Sequence, residues 1–320
     1  MRLFLSLLLF ISCSFALDYS FEVENTNIVT KPQHDKGSDY NRLRIYGYLE
    51  DERYENFLGK IIIDNENNYD GIKKDNKNET TIYRGYVKYS DEVNLVIIGK
   101  QRVPFGVGKV WNPTDIFNPI DATAIETNER EGVESIRYEY AINEVSNLDI
   151  TIAKDKQALR VKGYIDIADF AAILLKDQNK NQTIYGYEMQ GELYESGIEL
   201  RSEGGYFQNK DAKNYEEFIV GVEYGFENSL TLLGEYKYNS LNNQDYLATN
   251  ISYTISPLLT FNTLLLKNID DKSTLSLVKF DYSLSDEMEL NFGTYLYSGD
   301  KNSEYGSLDN SYFVRLFIHF

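Results

Sequence analysis

The sequence predicts an all-β protein: a transmembrane antiparallel β-barrel of about 16–18 strands, with a long third loop folded into the lumen. Two observations carry this prediction. Apolar and polar residues alternate along nearly the whole chain, and no segment after the N-terminus is apolar for the length of a membrane-spanning helix. A membrane protein without such helices must be a closed barrel, because only helices and barrels satisfy every backbone polar group in lipid.

The first sixteen residues predict a secretory signal peptide, which leaves residues 17–320 as one outer-membrane β-barrel. Arg2 supplies the positive charge, residues 3–11 the short apolar stretch, and Ser14-Phe15-Ala16 a small-x-small cleavage site. Cys13 leaves open a lipoprotein signal acylated on that cysteine. It is the single cysteine of the chain, so cleavage after Ala16 would exclude disulfides, thiol catalysis and cysteine-ligated metals.

Period-two alternation is the signal for the strands. Leu43, Ile45 and Leu49 alternate with Arg44, Tyr46 and Tyr48, a pattern that puts lipid on one face of a barrel wall and water on the other. The first strand and the two strands near 159–176 are the weakest of the series. The predicted strand starts lie near residues 19, 41, 56, 80, 93, 133, 147, 159, 168, 183, 197, 215, 229, 245, 258, 273, 287 and 311.

The connectors between these strands fall into two alternating classes, as periplasmic turns and external loops do in bacterial barrels. Ser90-Asp91-Glu92 and Ser256-Pro257 are examples of the tight class. The long polar class comprises Asn65–Glu79, Asp177–Gln182, Asn209–Asn214, Asn239–Asp245 and Ser298–Asn310. A soluble β-sandwich or propeller would also alternate, but it would not need this rhythm through the whole chain.

The composition limits the partners and the chemistry. A formal net charge of −18 argues against nucleic acid as a partner, because binding it requires Lys and Arg to neutralise phosphates. The two histidines, His34 and His319, lie near opposite ends of the chain without a sequence-suggested catalytic partner. We therefore expect no catalytic residues, no metal site and no cofactor.

The C-terminus carries a family resemblance. Tyr312, Val314, Leu316, Ile318 and Phe320 form an alternating apolar face that ends on a terminal aromatic residue. In this it resembles Gram-negative outer-membrane porin-like β-barrels, whose last strand is read by the barrel-assembly machinery. The resemblance implies location in the outer membrane among lipid and lipopolysaccharide. It also implies assembly as a homotrimer, for which the sequence shows no defined interface.

One connector, residues 103–131, does not alternate. It holds three of the five prolines (Pro104, Pro113 and Pro119) and the single tryptophan, Trp111. Its position after the fifth strand resembles that of the porin loop that narrows the pore. The residues Gly99-Lys100-Gln101-Arg102, Phe105-Gly106-Val107-Gly108 and Trp111–Pro119 together resemble a motif of porin-like bacterial barrels. Trp111 and Phe117 are the predicted anchors of this loop. The alternative is an ordered external loop that stays outside the lumen.

If the loop enters the lumen, two sets of charges would form the pore constriction and set up a transverse field that orients solutes. The acidic set on the loop is Asp115, Asp121, Glu126, Glu129 and Glu131. The basic set, predicted to point inward from the wall, is Arg42, Arg44, Arg84, Lys88, Lys100, Arg102 and Arg137. The alternative is that these residues form wall salt bridges that hold the loop in place.

The leading functional hypothesis is a channel for passive diffusion of small hydrophilic solutes or ions. One rival is a substrate-specific channel in which Tyr46, Tyr48, Tyr86 and Trp111 line a stacking path for sugars or aromatic compounds. The other rival is a structural or adhesive surface barrel with a blocked lumen. The sequence favours neither a cation nor an anion as the preferred ion.

Overall fold

The computed structural model describes residues 18–50, 55–71, 73–127 and 129–320. The predicted signal peptide lies outside these residues. The described residues form 18 strands: β1 (Asp18–Pro32), β2 (Ser38–Glu50), β3 (Phe57–Asp70), β4 (Asp75–Ser90), β5 (Asn94–Gln101), β6 (Val133–Asn143), β7 (Ser146–Ala153), β8 (Lys156–Ile165), β9 (Ala168–Asp177), β10 (Gln182–Glu192), β11 (Ile198–Asn209), β12 (Tyr215–Gly225), β13 (Leu230–Asn239), β14 (Gln244–Ser256), β15 (Leu259–Asn268), β16 (Thr274–Ser285), β17 (Met288–Ser298) and β18 (Ser311–His319).

The strands form one closed antiparallel sheet in which each strand pairs with its neighbours in sequence. Strand β1 closes the ring by pairing with β2 on one side and β18 on the other. The upper end of the predicted strand count is therefore confirmed. No helix of the described residues is long and apolar enough to cross a membrane.

The predicted strand starts agree with the structure to within three residues, except that of β4, which begins at Asp75 rather than near residue 80. The prediction of a long connector over Asn65–Glu79 is wrong. The β3–β4 ladder continues to Asp70 and Asp75. Polar side chains pair across it, with Asn65 Nδ2 donating to Thr80 Oγ1 at 2.8 Å. These cross-strand bonds extend the hairpin beyond the apolar alternation that marks the membrane-facing part.

Each strand has two distinct faces. On the exposed face lie large apolar side chains such as Ile45 (41% exposed), Val220 (51%) and Phe292 (40%). On the other face, called the buried face here, lie polar and charged side chains that are nearly inaccessible, such as Arg44 (2%) and Glu203 (0%). This separation is the dyad pattern of a transmembrane barrel, in which lipid contacts one phase of every strand.

One irregularity in the ladder places residues of the buried face. The register shifts between Ile62 and Ile63, so Tyr83 has no partner in the β3–β4 ladder. The extra residue lets both Tyr83 and the following Arg84 reach the buried face. As a result the Tyr83 ring lies 3.9 Å from the Arg44 guanidinium.

The two faces lead to a test with a matched control. Ile251 and Asn250 are neighbours at the middle of β14, and the exposed-face residues Leu247 and Tyr253 flank Ile251 at two-residue spacing. We expect Ile251→Lys to lower the free energy of unfolding in lipid bilayers by about 2–4 kcal/mol, because it places an ammonium group in hydrocarbon. Asn250→Lys on the buried face should cost much less. Equal losses in urea titrations of the two variants would contradict the assignment of the faces.

Candidate functional site

The irregular connector between β5 and β6 packs two apolar groups against the strands. Phe105 and Phe117, with ring centroids 5.6 Å apart, join a buried cluster with residues of β8–β11 such as Ile173. Val110 and Trp111 pack against a second cluster built by β13–β18, and the Trp111 ring lies 6.0 Å from that of Tyr246. Both predicted anchors thus lie in apolar contacts with the wall.

Three buried glutamates of the wall bind the connector's backbone. Glu203 on β11 accepts hydrogen bonds from the amides of Val107 (2.5 Å), Gly108 (2.9 Å) and Thr114 (3.1 Å). It also accepts bonds from the side chains of Thr114 (3.1 Å) and Asn112 (3.2 Å). A segment without regular structure has many N–H groups that no strand pairs, and the carboxylate accepts hydrogen bonds from several of them.

Glu235 on β13 binds the next three amides of the connector in the same way. It accepts bonds from the amides of Lys109 (3.0 Å), Val110 (3.3 Å) and Trp111 (2.8 Å). Glu188 on β10 accepts a bond from the Gly106 amide at 2.7 Å. The sequence did not single out Glu188, Glu203 and Glu235, because many other acidic residues occupy the same phase of the strands.

The two glycines that begin this segment are required by its geometry. Gly106 has a φ of +84°, a backbone conformation that residues other than glycine rarely adopt. A Cβ on Gly108 would lie 1.9 Å from the carbonyl oxygen of Trp111. Both positions let consecutive amides turn toward the glutamates.

Two of the predicted acidic residues serve turns within the connector. Asp115 accepts bonds from the amides of Phe117 (3.1 Å) and Asn118 (2.7 Å), and it lies 3.5 Å from Arg130 Nη1. Burial raises the pKa of Asp115 to about 6. Asp121 accepts bonds from the amide and hydroxyl of Thr123, at 2.9 and 2.6 Å.

Two others contact the predicted basic set directly. Glu126 lies 3.0 Å from Arg42 and 2.8 Å from Arg315 of β18. Glu129 lies 2.6 Å from Arg44, which also makes a bidentate pair with Asp64 at 2.7 Å. Burial alone would raise the pKa of Glu129, but the Arg44 guanidinium lowers it below its ordinary value.

The remaining basic residues have separate roles. Arg84 donates to the carbonyl oxygen of Arg130 at 2.9 Å. Arg137 pairs within the wall, with Asp149 at 2.8 Å and Glu139 at 2.7 Å. Lys88 lies on the buried face of β4 and forms no ion pair within the described part of the chain. Arg102 directly follows β5, and its charge acts on Asp115 and Arg130 of the connector.

Lys100 differs from its prediction. In the ladders it lies opposite Gly85 and Glu134, in the phase of the exposed Ile98 and Ile136 rather than of the buried face. The prediction that it points inward is therefore wrong. Its ammonium group pairs with Glu131 and donates to the Ile82 carbonyl oxygen at 2.6 Å. The glycine at position 99 obscured the phase, because it has no side chain to mark the face.

The predicted aromatic path is not continuous. Tyr46 and Tyr48 stack with centroids 6.4 Å apart, and Lys60 lies over both rings. Trp111 instead contacts Tyr246 of β14, away from these strands.

Within the described residues no group of His, Cys, Asp and Glu side chains could hold a metal ion. His34, in the connector between β1 and β2, has its Nδ1 3.4 Å from Oδ1 of Asp309, in the connector between β17 and β18.

A cavity of about 570 Å³ separates the connector from part of the wall. Phe105–Val110 and Arg130 border it on the connector side, and residues of β10 and β12–β16 border it on the other. Polar wall residues such as Asn250 and Asn262 line it. The connector therefore leaves space beside this part of the wall.

The buried pair of Arg44 and Asp64 allows a double-mutant test. Arg44→Leu leaves the Asp64 carboxylate, 1% exposed, without its partner, and we expect a loss of about 3–5 kcal/mol in unfolding free energy. The Arg44→Leu/Asp64→Leu variant should lose clearly less, because no unpaired buried charge remains. Urea unfolding in lipid vesicles measures both. Equal losses would contradict the pairing.

The raised pKa of Asp115 predicts a pH dependence. Folding favours its protonated form, so the stabilisation is complete below the unfolded pKa, near 4, and is lost as the pH rises through about 6. Asp115→Asn keeps the acceptor oxygen but cannot ionise. Relative to this variant, the wild type should lose on the order of 1–3 kcal/mol of unfolding free energy between pH 4 and pH 7. Parallel pH profiles of the two proteins would argue against a buried Asp115.

No protein-family model matches the chain, and no curated protein matches it. Solved structures do. A Rhodopseudomonas blastica porin triple mutant matches with a TM-score of 0.57 at 11% identity, covering 95% of this chain and 100% of that one. Pseudomonas aeruginosa OccK5 (OpdH) matches with a TM-score of 0.65 at 8% identity, covering 95% and 97%. Pseudomonas aeruginosa OccD3 (OpdP) matches with 0.65 at 9% identity, covering 94% and 91%. These identities establish fold alone, and together with the closed ring of 18 antiparallel strands they show that the chain has the porin-type β-barrel fold.

Proposed function

We propose that the protein is a porin-like channel of the Gram-negative outer membrane for passive diffusion of small hydrophilic solutes or ions. In this proposal the buried face lines an aqueous lumen, and residues 103–131 fold into that lumen and narrow it. The protein is exported by its cleaved signal peptide, inserted through the barrel-assembly machinery, and surrounded by lipid and lipopolysaccharide. It passes solutes and catalyses no reaction.

The observation that supports the narrowed lumen best is the spread of the connector's contacts around the ring. Glu126 bonds Arg42 on β2, whereas Val107 and Gly108 bond Glu203 on β11. In the order of the sheet, β11 lies nine strands from β2, half-way round the ring. A segment that lies only across one rim would contact strand ends, but Arg42, Arg44 and Glu203 lie within their strands.

The charge contacts support the salt-bridge alternative for part of the predicted constriction. Glu126, Glu129 and Glu131 each pair directly with a basic side chain. Paired carboxylates contribute little net field across a pore, because each opposite charge cancels the other within contact distance. These pairs therefore hold the connector to the wall, and ion preference depends on charges that remain without partners.

The stacked Tyr46 and Tyr48 favour a second candidate, a channel selective for sugars or aromatic compounds. The Lys60 ammonium group lies 4.7 Å from the centroid of the Tyr48 ring. In this candidate the two stacked rings bind the solute, and Lys60 supplies a polar group beside them. Conductance block by a neutral sugar, lost in Tyr46→Ala and Tyr48→Ala, would favour this candidate over general diffusion.

The test of the channel is single-channel recording from the folded mature protein in planar bilayers. We expect discrete open steps in the wild type. Glu235→Ala removes the acceptor of three connector amides, so we expect a noisier and larger conductance as the segment 109–111 detaches. The control is Glu227→Ala, a charge change in the exposed turn between β12 and β13.

Absence of steps from protein verified as folded and inserted would overturn the channel and favour a structural or adhesive barrel with a blocked lumen. Steps in which Glu235→Ala behaves like Glu227→Ala would leave the pore but contradict its narrowing by the connector. Chemical cross-linking in detergent tests the homotrimer separately.

A further inference from the structure

The cavity between the connector and the wall is bordered by uncharged polar side chains that have no partner in the protein. Gln190, Thr231 and Asn250 line it, and their side chains form no hydrogen bond with any residue that the structure describes. All three residues are partly buried. Each lies on the buried face, as Asn250 does two residues after the fully buried Ala248. Polar groups in such a position are left to bond water or a solute.

Asn262 of β15 adds a carboxamide group of fixed orientation to the same cavity. Its Nδ2 donates to Asp281 Oδ2 at 2.7 Å, and Oδ1 of Asp281 lies 3.2 Å from Lys279 Nζ. The carbonyl oxygen of the Asn262 side chain forms no hydrogen bond with the described part of the chain. The wall therefore holds the amide nitrogen, and the carbonyl oxygen remains an acceptor for a hydroxyl group of a solute.

A row of leucines crosses the strands at the level of Asn250. Asn250 pairs with Leu233 of β13 and with Leu264 of β15, and Leu264 pairs with Leu277 of β16. These three leucines are 5–6% exposed and border the cavity. They give the cavity an apolar strip that a single carboxamide group interrupts.

A polar row runs beside the leucine row, two residues further along each strand. Thr231 pairs with Ser252, and Ser252 pairs with Asn262. Ligand sites commonly combine apolar contact area with a few placed polar groups. An apolar strip beside a strip of hydroxyl and carboxamide groups matches a pyranose, which has C–H groups on its ring faces and hydroxyl groups at its edge.

The charges around the cavity offset one another. Three ion pairs border it: Lys279–Asp281 at 3.2 Å, Arg130–Asp115 at 3.5 Å and Glu223–Arg201 at 2.6 Å. The buried carboxylates that bind connector residues 106–111 offset the remaining basic side chains, Arg102 and Lys109. An ion that gives up water here meets no net opposite charge, whereas an uncharged solute loses less hydration energy on entry.

We propose that this cavity binds uncharged polyhydroxylated solutes of the monosaccharide type, and that Thr231, Asn250 and Asn262 determine this specificity. The proposal rests on the channel function, and it names the solute class and a path along β13–β16. Hydroxyl and carboxamide groups both donate and accept, so a passing solute exchanges bonds with water for equivalent bonds with the wall. The site is separate from the stacked Tyr46 and Tyr48 on β2.

The test is block of the single-channel potassium chloride current by glucose in planar bilayers. Gluconate and glucosamine are charged probes of nearly the same size. A polyethylene glycol of the same hydrodynamic radius occupies the pore with few hydroxyl groups.

The variants are Thr231→Val, Asn250→Leu and the double variant, none of which breaks a side-chain hydrogen bond within the described residues. The matched control is Thr249→Val, the same chemical change as Thr231→Val on the exposed face of β14, between Leu247 and Ile251. Heat-modifiable gel mobility confirms that every variant is folded.

We expect the block by glucose to saturate, and we expect gluconate and glucosamine to block less at the same concentration. Each single variant should raise the half-blocking glucose concentration by about threefold, and the double variant by about tenfold, because each change removes hydrogen bonds between uncharged partners. Thr249→Val should behave like the wild type.

The outcomes separate this site from the channel itself. Three results would overturn the site and leave the channel: a glucose effect no larger than that of the polyethylene glycol, tighter block by gluconate or glucosamine, or a double variant that behaves like Thr249→Val. Block that is lost in Tyr46→Ala and Tyr48→Ala but kept in the double variant would also overturn it and assign the sugar to the stacked tyrosines.

No open steps at all would overturn the channel. In that event, saturation-transfer nuclear magnetic resonance of glucose with the folded protein in detergent tests the site. Transfer that weakens in the double variant would support the site. No transfer, or equal transfer in the wild type and the double variant, would overturn it.

Discussion

Closure of the strand ladder between β1 and β18 is the constraint on which the rest of the structure depends. In hydrocarbon every backbone N–H and C=O must find a protein partner, and only a ring of strands without free edges provides one for each. Nine residues of β1, Glu24–Pro32, pair with nine residues of β18, and this ladder closes the ring. The faces, the strand tilt and the polarity of the buried face follow from this closed geometry.

The connector between β5 and β6 solves the same problem by other means. It has no ladder to pair its amides, so carboxylates of the wall accept them: Glu203 at Val107, Gly108 and Thr114, and Glu235 at Lys109–Trp111. Each of these two carboxylates accepts several charge-assisted hydrogen bonds. Phe117 and Val110 then pack into apolar clusters of the wall and fix the position of a segment whose amides already have partners.

Much of the fold could be predicted because period-two alternation is local information. Most strand starts, the alternating terminal segment up to Phe320 and the unusual connector all follow from residues close together in sequence. Lys100 shows where local reading fails: Gly99 hides the phase, and the face is fixed by pairing with Gly85 and Glu134. The hairpin over Asn65–Glu79 shows another limit, because ladders of polar side chains look like loops in sequence.

The binding partners of the candidate site were harder to predict because they depend on distances across the ring. Glu126 and Glu129 meet Arg42 and Arg44 of the predicted basic set, yet Arg137 turns to Asp149 instead. Glu203 and Glu235 were missed altogether. In sequence they are two acidic residues among many, and only the folded connector brings amides to them.

The double contact of Glu126 has a consequence for assembly. This one carboxylate bonds Arg42 on β2 and Arg315 on β18, the two strands that flank β1 in the ring. Arg315 belongs to β18 and lies 189 residues after Glu126 along the chain. The contact of Glu126 with Arg315 therefore forms only when β18 has taken its place in the ring. Complete docking of the connector therefore requires a closed ring. Glu126, which lies on neither β1 nor β18, links the two strands on either side of β1.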